Sequence, residues 1–197
     1  KRRTRFAEAP EHDEAAIETV ALFVQDEWQP GERTTFTLGA RQYRVEGRLE
    51  GTNRAGLVPQ TQTDAQAIAS LGLSHELGDN VVLRANVAQG YVYPSLLQFA
   101  TGAYAASRFV NPNPDLDPET ALSWEGGLRL RAAGWVFDTG VFRTASEDYI
   151  DHIFCAPIDG CLSARDKVYV NIGESTAQGL ELYAARAEGE LRWRPYA

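Results

Sequence analysis

The sequence lacks long apolar runs and is poor in the residues that bind metals. It contains no methionine, two cysteines and three histidines among 197 residues. No run of eighteen apolar residues occurs, so we expect no transmembrane helix, although alternating β-strands would never produce such a run. Because no histidine or second cysteine pair completes a zinc site, we predict neither a metal nor a cofactor.

The overall charge is acidic and excludes one class of partner. The net charge is -8 and the isoelectric point is near 4.9. Nucleic-acid phosphates would be repelled, so we expect no nucleic-acid partner. The hydrophobic fraction of 44% and charged fraction of 23% are typical of a folded protein.

Motifs for catalysis are also missing. The sequence contains neither a Gly-Xaa-Ser-Xaa-Gly nucleophile motif nor a phosphate-binding glycine loop. Two acidic clusters have simpler explanations than catalysis or calcium binding: solvated carboxylates at a strand end, and a rigid proline-rich turn. They are Glu147, Asp148 and Asp151, and Asp115, Asp117 and Glu119. We therefore predict that the chain is not an enzyme.

The segment Asn111–Thr120 contains three prolines, which forbid a helix and force an extended, turning backbone. The stretch that follows, 121–131, alternates between two kinds of residue. Leu122 and Trp124 share one face, whereas Ser123 and Glu125 share the other. The segment therefore predicts a loop that leads into a β-strand with two different faces.

This alternation recurs in four predicted hairpins. Short turns are expected after Trp28, after Leu77, after Arg131 and near Glu188–Gly189. A polar loop is expected over 46–67, and 168–172 is expected to open the fourth hairpin. Four hairpins with short turns at one end and long connections at the other are typical of an outer-membrane barrel. A soluble β-sandwich or lectin-like binding module is the alternative.

The pattern therefore predicts an all-β fold, an antiparallel up-and-down transmembrane β-barrel segment of about eight strands. In a barrel the polar face of each strand lines the lumen. The predicted lumen-facing residues are Arg41, Arg84, Asn86, Glu125, Arg129, Asp138 and Glu181.

The two cysteines, Cys155 and Cys161, lie in one polar loop. Their spacing predicts a small disulfide-closed loop in an oxidising compartment, with two free thiols as the alternative. The last residues look like the early part of a strand, so we expect the chain to be a segment of a longer protein.

Several short motifs follow one another along the chain: Phe23–Trp28, Leu38–Arg41, Gly90–Leu96, Asn113–Thr120, Trp124–Arg129, Tyr169–Glu174 and Gln178–Glu181. Their order is the one seen in TonB-dependent outer-membrane receptors, which the chain resembles from about Thr19 onward. The resemblance implies a 22-stranded barrel in the bacterial outer membrane, closed by an N-terminal plug and energised through TonB. Residues 1–18 would then be a remnant of an extracellular loop, and residues 19–197 a partial barrel without the plug and the last strands.

The resemblance also implies a ligand and a place for it. The expected partners are a ferric siderophore or related iron chelate, outer-membrane lipid, and TonB by way of the plug. The loop 91–113 combines aromatic rings with a guanidinium group, so its candidate ligand-binding residues are Tyr93, Phe99, Tyr104, Arg108 and Phe109. A haem or cobalamin receptor is the alternative. Residues 95–112 lack the histidine that many haem receptors use, although Tyr104 could bind iron.

Overall fold

The structure is a computed structural model in which strands dominate. It describes residues 13–53, 57–105, 108–156, 161, 163 and 165–186. In this part of the chain no helix is long and apolar enough to cross a membrane, and a π-helix spans Leu97–Thr101. The strands are β1 Asp13–Gly31, β2 Thr34–Thr52, β3 Gln60–Glu76, β4 Val81–Val92, β5 Ala103–Ala105, β6 Arg108–Asn111, β7 Glu119–Ala132, β8 Trp135–Glu147, β9 Ile150–Phe154, β10 Lys167–Asn171 and β11 Ser175–Arg186.

Seven long strands form the main sheet in the order β1-β2-β3-β4-β7-β8-β11, and every neighbouring pair is antiparallel. Strands next to each other in the sheet are also next in order along the chain, once the short strands are set aside. This is the predicted up-and-down arrangement. Across the described residues the sheet stays open, with β1 and β11 at its edges.

Short turns join three of the predicted hairpins at one end of this sheet. Ala133 and Gly134 connect β7 to β8 with φ values of 50° and 77°. Two successive positive φ values give the turn that matches the twist of paired strands. The fourth predicted turn, near Glu188–Gly189, lies outside the described residues.

Two predicted boundaries are wrong. The residues 46–67 are not one loop, because β2 continues to Thr52 and β3 begins at Gln60, which pairs with Leu49. In β3 the residues 60–64 are polar on both faces. In β2 the apolar residues change face, so that Val45 and Leu49 are buried on the polar face of the sheet and the alternation no longer matches that of Phe36 and Leu38. The residues 168–172 do not open a long hairpin, since β10 belongs to a separate four-stranded sheet. Its short alternation could not reveal which strands it pairs with.

The register places all seven predicted lumen-facing residues on one face of the main sheet. Asn86 lies opposite Glu125, and Arg129 lies opposite Asp138. The other face is apolar and exposed, and includes Leu22, Val24, Leu71, Val87, Leu122 and Trp124.

Aromatic pairs and a small core lie at opposite ends of the sheet. Trp28 stacks on Phe36 at 5.4 Å, and Trp135 on Phe137 at 6.1 Å, on the apolar face beside the short turns. At the far end the β4–β7 connection folds over the polar face. There Phe99 and Ala100 of the π-helix pack on Leu49 of β2, and all three are buried. The core therefore fixes the connection above the polar face.

Candidate ligand-binding site

The second sheet lies at the end of the molecule opposite the short turns. Its order is β5-β6-β10-β9, in which β10 is antiparallel to β9 and parallel to β6. Two of its strands come from the β4–β7 connection and two from the β8–β11 connection. The sheet therefore joins the two long connections into one unit.

One face of this sheet carries alternating cations and rings, which we call the cation–aromatic strip: Arg108, His152, Phe154, Lys167 and Tyr169. The Arg108 guanidinium carbon lies 4.9 Å from the centre of the Phe154 ring, and the Lys167 ammonium nitrogen lies 5.5 Å from the same centre. The His152 and Tyr169 rings, opposite each other in the register, meet at 6.3 Å.

The charge of the strip is positive at one end. Arg108 and Lys167 approach the same ring, and neither makes an ion pair with a carboxylate among the described residues. His152 is 2.8 Å from the Asp151 carboxylate. Phe154 leaves 58% of its surface exposed. A flat anionic ligand could contact this ring and pair with both cations.

The five loop residues predicted from the sequence do not form one cluster. Arg108 lies on the strip. Tyr104 and Phe109 contact each other at 5.1 Å on the opposite face of the same sheet, where Tyr104 is 74% exposed. Phe99 is fully buried, so it supports the connection and presents no surface to a ligand.

Tyr93 follows β4 directly and packs against β2 and β3 of the main sheet. Its hydroxyl donates a hydrogen bond of 3.0 Å to the Gln62 side chain, and its ring passes close to Gly47. Burial, reinforced by the charge of Asp64, raises the pKa of the Tyr93 phenol above its ordinary value. A side chain at position 47 would collide with this ring, so glycine is required there by the close approach.

Cys155 and Cys161 form a disulfide next to the strip. Cys155 follows Phe154 directly and is buried, and its amide donates a hydrogen bond of 3.0 Å to the Asp166 carbonyl oxygen just before β10. The disulfide therefore closes the connection at the end of β9.

An ion-pair cluster lies on the polar face of the main sheet. Asp138 accepts hydrogen bonds from both Arg84 and Arg129, with the Arg129 Nε at 2.7 Å. The Asp138 side chain is 16% exposed, whereas both arginines are partly open to solvent. Three strands, β4, β7 and β8, are cross-linked by this carboxylate.

Sequence reasoning missed four members of the strip. Phe154, Lys167, Tyr169 and His152 lie in short strands whose own patterns do not reveal their partners. Knowing that β9 pairs with β10 would have placed His152 opposite Tyr169.

Comparisons with known proteins agree on one family. The model of the TonB dependent receptor-like β-barrel matches residues 6–197. The ferrienterobactin receptor of Escherichia coli K12 is 26% identical over 154 residues, covering 70% of this chain and 21% of that protein. The chain thus spans about a fifth of the length of this curated relative.

Solved structures share the fold at low sequence identity. The copper transporter OprC superposes with a TM-score of 0.71 at 16% identity, covering 89% of this chain and 27% of that one. The Serratia marcescens hemophore receptor HasR, in complex with HasA and heme, gives 0.67 at 18%, covering 85% and 31%. The ferric-catecholate import receptor Fiu of E. coli K12 gives 0.59 at 19%, covering 87% and 26%.

Proposed function

Because the chain belongs to the family of TonB-dependent receptor β-barrels, we propose that it forms part of a receptor that imports a ferric siderophore or related iron chelate, captured on the cation–aromatic strip. Members of this family are bacterial outer-membrane receptors. The apolar face of the main sheet then faces lipid, with the aromatic pairs Trp28–Phe36 and Trp135–Phe137 at one membrane interface.

The polar face of the sheet is the wall of the lumen in this proposal. The β4–β7 connection packs on that face through Phe99, so the second sheet stands at the extracellular mouth of the barrel. A ligand held there would be positioned for entry into the lumen. Energy for entry would come from TonB through a plug elsewhere in the longer receptor.

The observation that carries the proposal is the approach of Arg108 and Lys167 to one exposed ring, that of Phe154. Ferric complexes of deprotonated catecholates are anionic and expose flat rings, so the strip offers them both ion pairing and stacking. Two names among the compared proteins fit this chemistry: one is a ferrienterobactin receptor and another a ferric-catecholate import receptor.

Binding by the full-length receptor in detergent tests the proposal. The receptor would be titrated with ferrienterobactin, a ferric hydroxamate and haem, and binding would be followed by tryptophan fluorescence. Arg108→Gln and Lys167→Gln should each weaken ferrienterobactin binding about tenfold, since each removes a charged partner. The matched control is Arg131→Gln, at the short-turn end of the sheet.

The three ligands separate the alternatives. Unchanged ferrienterobactin affinity in both strip variants would refute capture on the strip. Tight binding of haem alone, retained in both variants, would instead assign the receptor to haem.

A further inference from the structure

We propose that Asn111 and Asn113 are positioning residues, which hold the backbone of the cation–aromatic strip and thereby set its affinity for an anionic chelate. The inference rests on the proposed function, because it gives these residues a role at the same site. Both asparagines belong to the proline-rich segment that leads into β7, and neither side chain lies on the strip itself.

The parallel pairing of β6 with β10 stops at Asn111, which pairs with Val168. Backbone pairing goes no further because the Asn113 amide is used elsewhere: it donates a hydrogen bond of 2.7 Å to the Gln98 carbonyl oxygen of the π-helix. The Asn113 side chain continues the contact with β10 in place of the backbone, since its Nδ2 donates a hydrogen bond of 3.0 Å to the Tyr169 carbonyl oxygen.

Asn111, two residues earlier in the chain, also bonds to β10 through its side chain. Its Nδ2 donates to the Lys167 carbonyl oxygen at 2.9 Å and lies 3.7 Å from the Cys155 sulfur. Asn111 and Asn113 thus bond to two carbonyl groups that are themselves two residues apart. We call these two bonds the asparagine ladder.

The prolines explain the spacing. Pro112 and Pro114 keep the backbone extended, and residues two apart in an extended chain project in the same direction. Both asparagine side chains therefore point to β10. Two further hydrogen bonds join the same segment to β10. The Asn171 side-chain oxygen accepts from the Asp117 amide at 3.0 Å, and its Nδ2 donates to the Asp117 carbonyl oxygen at 2.9 Å.

The ladder bonds to the residues whose side chains form the strip. Lys167 and Tyr169 each contribute a carbonyl oxygen to the ladder and a side chain to the strip. If β10 moves relative to β6, Lys167 moves relative to Arg108, and the two cations no longer approach the same ring. Because the ladder preorganises the strip, losing it should weaken binding without removing any group that touches the ligand.

Asn113→Asp in the full-length receptor tests the ladder. The substitution keeps the side-chain oxygen that accepts from the Asp115 amide at 3.0 Å, but replaces the donor to Tyr169 with an acceptor. Ferrienterobactin binding should weaken about tenfold. Asn80→Asp, the same change in the short β3–β4 turn, is the matched control and should leave binding unchanged. Asn113→Ser, which removes the amide without adding charge, provides a second variant if Asn113→Asp fails to fold.

A double-mutant cycle with Lys167→Gln distinguishes positioning from a general loss of structure. If Asn113 acts through the strip, Asn113→Asp should cost much less in the Lys167→Gln background than in the native one. Unchanged affinity in Asn113→Asp and Asn113→Ser, or equal costs in both backgrounds, would overturn the inference. If Lys167→Gln itself leaves affinity unchanged, the proposed capture on the strip fails first, and the ladder loses its role with it.

Discussion

Replacing Asp138 with asparagine should destabilise the barrel wall. In the native wall, one carboxylate on β8 bonds to Arg84 on β4 and Arg129 on β7. Asp138→Asn keeps the size of the side chain and removes its charge. Two arginines then face each other across the sheet without the anion between them, so both the attraction and the cross-link are lost.

The structure gives the size of the effect. Charges about 4 Å apart attract by about 4 kcal/mol at an effective dielectric constant of about 20. The Asp138 side chain is 16% exposed but the arginine side chains are 46% and 39% exposed, and solvent screening therefore reduces each pair well below that value. We expect the unfolding free energy to fall by about 2 kcal/mol, midway between surface pairs and buried ones.

Urea unfolding of the full-length receptor in detergent measures this change, with Asp79→Asn in the exposed β3–β4 turn as the control. Arg129→Gln alone should cost less, since Arg84 still pairs with the carboxylate. The double variant of Asp138→Asn and Arg129→Gln should be less destabilised than the sum of the two singles. Equal stability of Asp138→Asn and the native receptor would show that solvent, rather than Asp138, balances these arginines.

Two further predictions concern Tyr93. Gly47→Ala would place a Cβ 2.6 Å from the Tyr93 hydroxyl oxygen and 3.2 Å from the ring, so it should lower the unfolding free energy by about 1 kcal/mol. In the same urea assay, Tyr93→Phe should relieve part of that cost, because it removes the hydroxyl. Equal costs of Gly47→Ala with and without the hydroxyl would contradict the collision. The raised pKa of Tyr93 means that its contribution to stability is complete below the unfolded pKa of about 10 and is lost as the pH rises through the folded value. Difference absorbance at 295 nm between native and Tyr93→Phe receptors should show this phenol ionising later than a free tyrosine, and ionisation at the ordinary pH would refute its burial.

The long strands were predictable because each one has an apolar face and a polar face. In β7, Leu122 and Trp124 alternate with Ser123 and Glu125, and a residue's parity alone assigns its face. The same parity rule assigned Asp138 and Arg129 to one face, and the register places them opposite each other. The rule fails at the ends of β2 and β3 that lie away from the short turns. There Val45 and Leu49 of β2 are apolar on the polar face, and residues 60–64 of β3 are polar on both faces.

The strip was not predictable for a related reason. Its members come from three segments, around Arg108, Phe154 and Lys167, and the pairing of short strands is decided by tertiary contacts rather than by local pattern. Phe99 illustrates a second limit of sequence reasoning. An aromatic loop residue suits ligand contact and core packing equally well on sequence grounds, and only its burial against Leu49 decides between them.

If the cation–aromatic strip binds the ligand as proposed, the asparagine ladder separates the position of that site from its chemistry. Asn111, Asn113 and Asn171 bond to main-chain groups of Lys167, Tyr169 and Asp117, and a main-chain group is the same whatever side chain it carries. A substitution of Lys167 can therefore change which ligand is held without changing where β10 lies. A substitution of Asn113 does the reverse, since it displaces the strip while leaving its charge intact. At the proposed site, the proline-rich segment that leads into β7 would thus determine the geometry of the strip, and the side chains of β6, β9 and β10 would determine its selectivity.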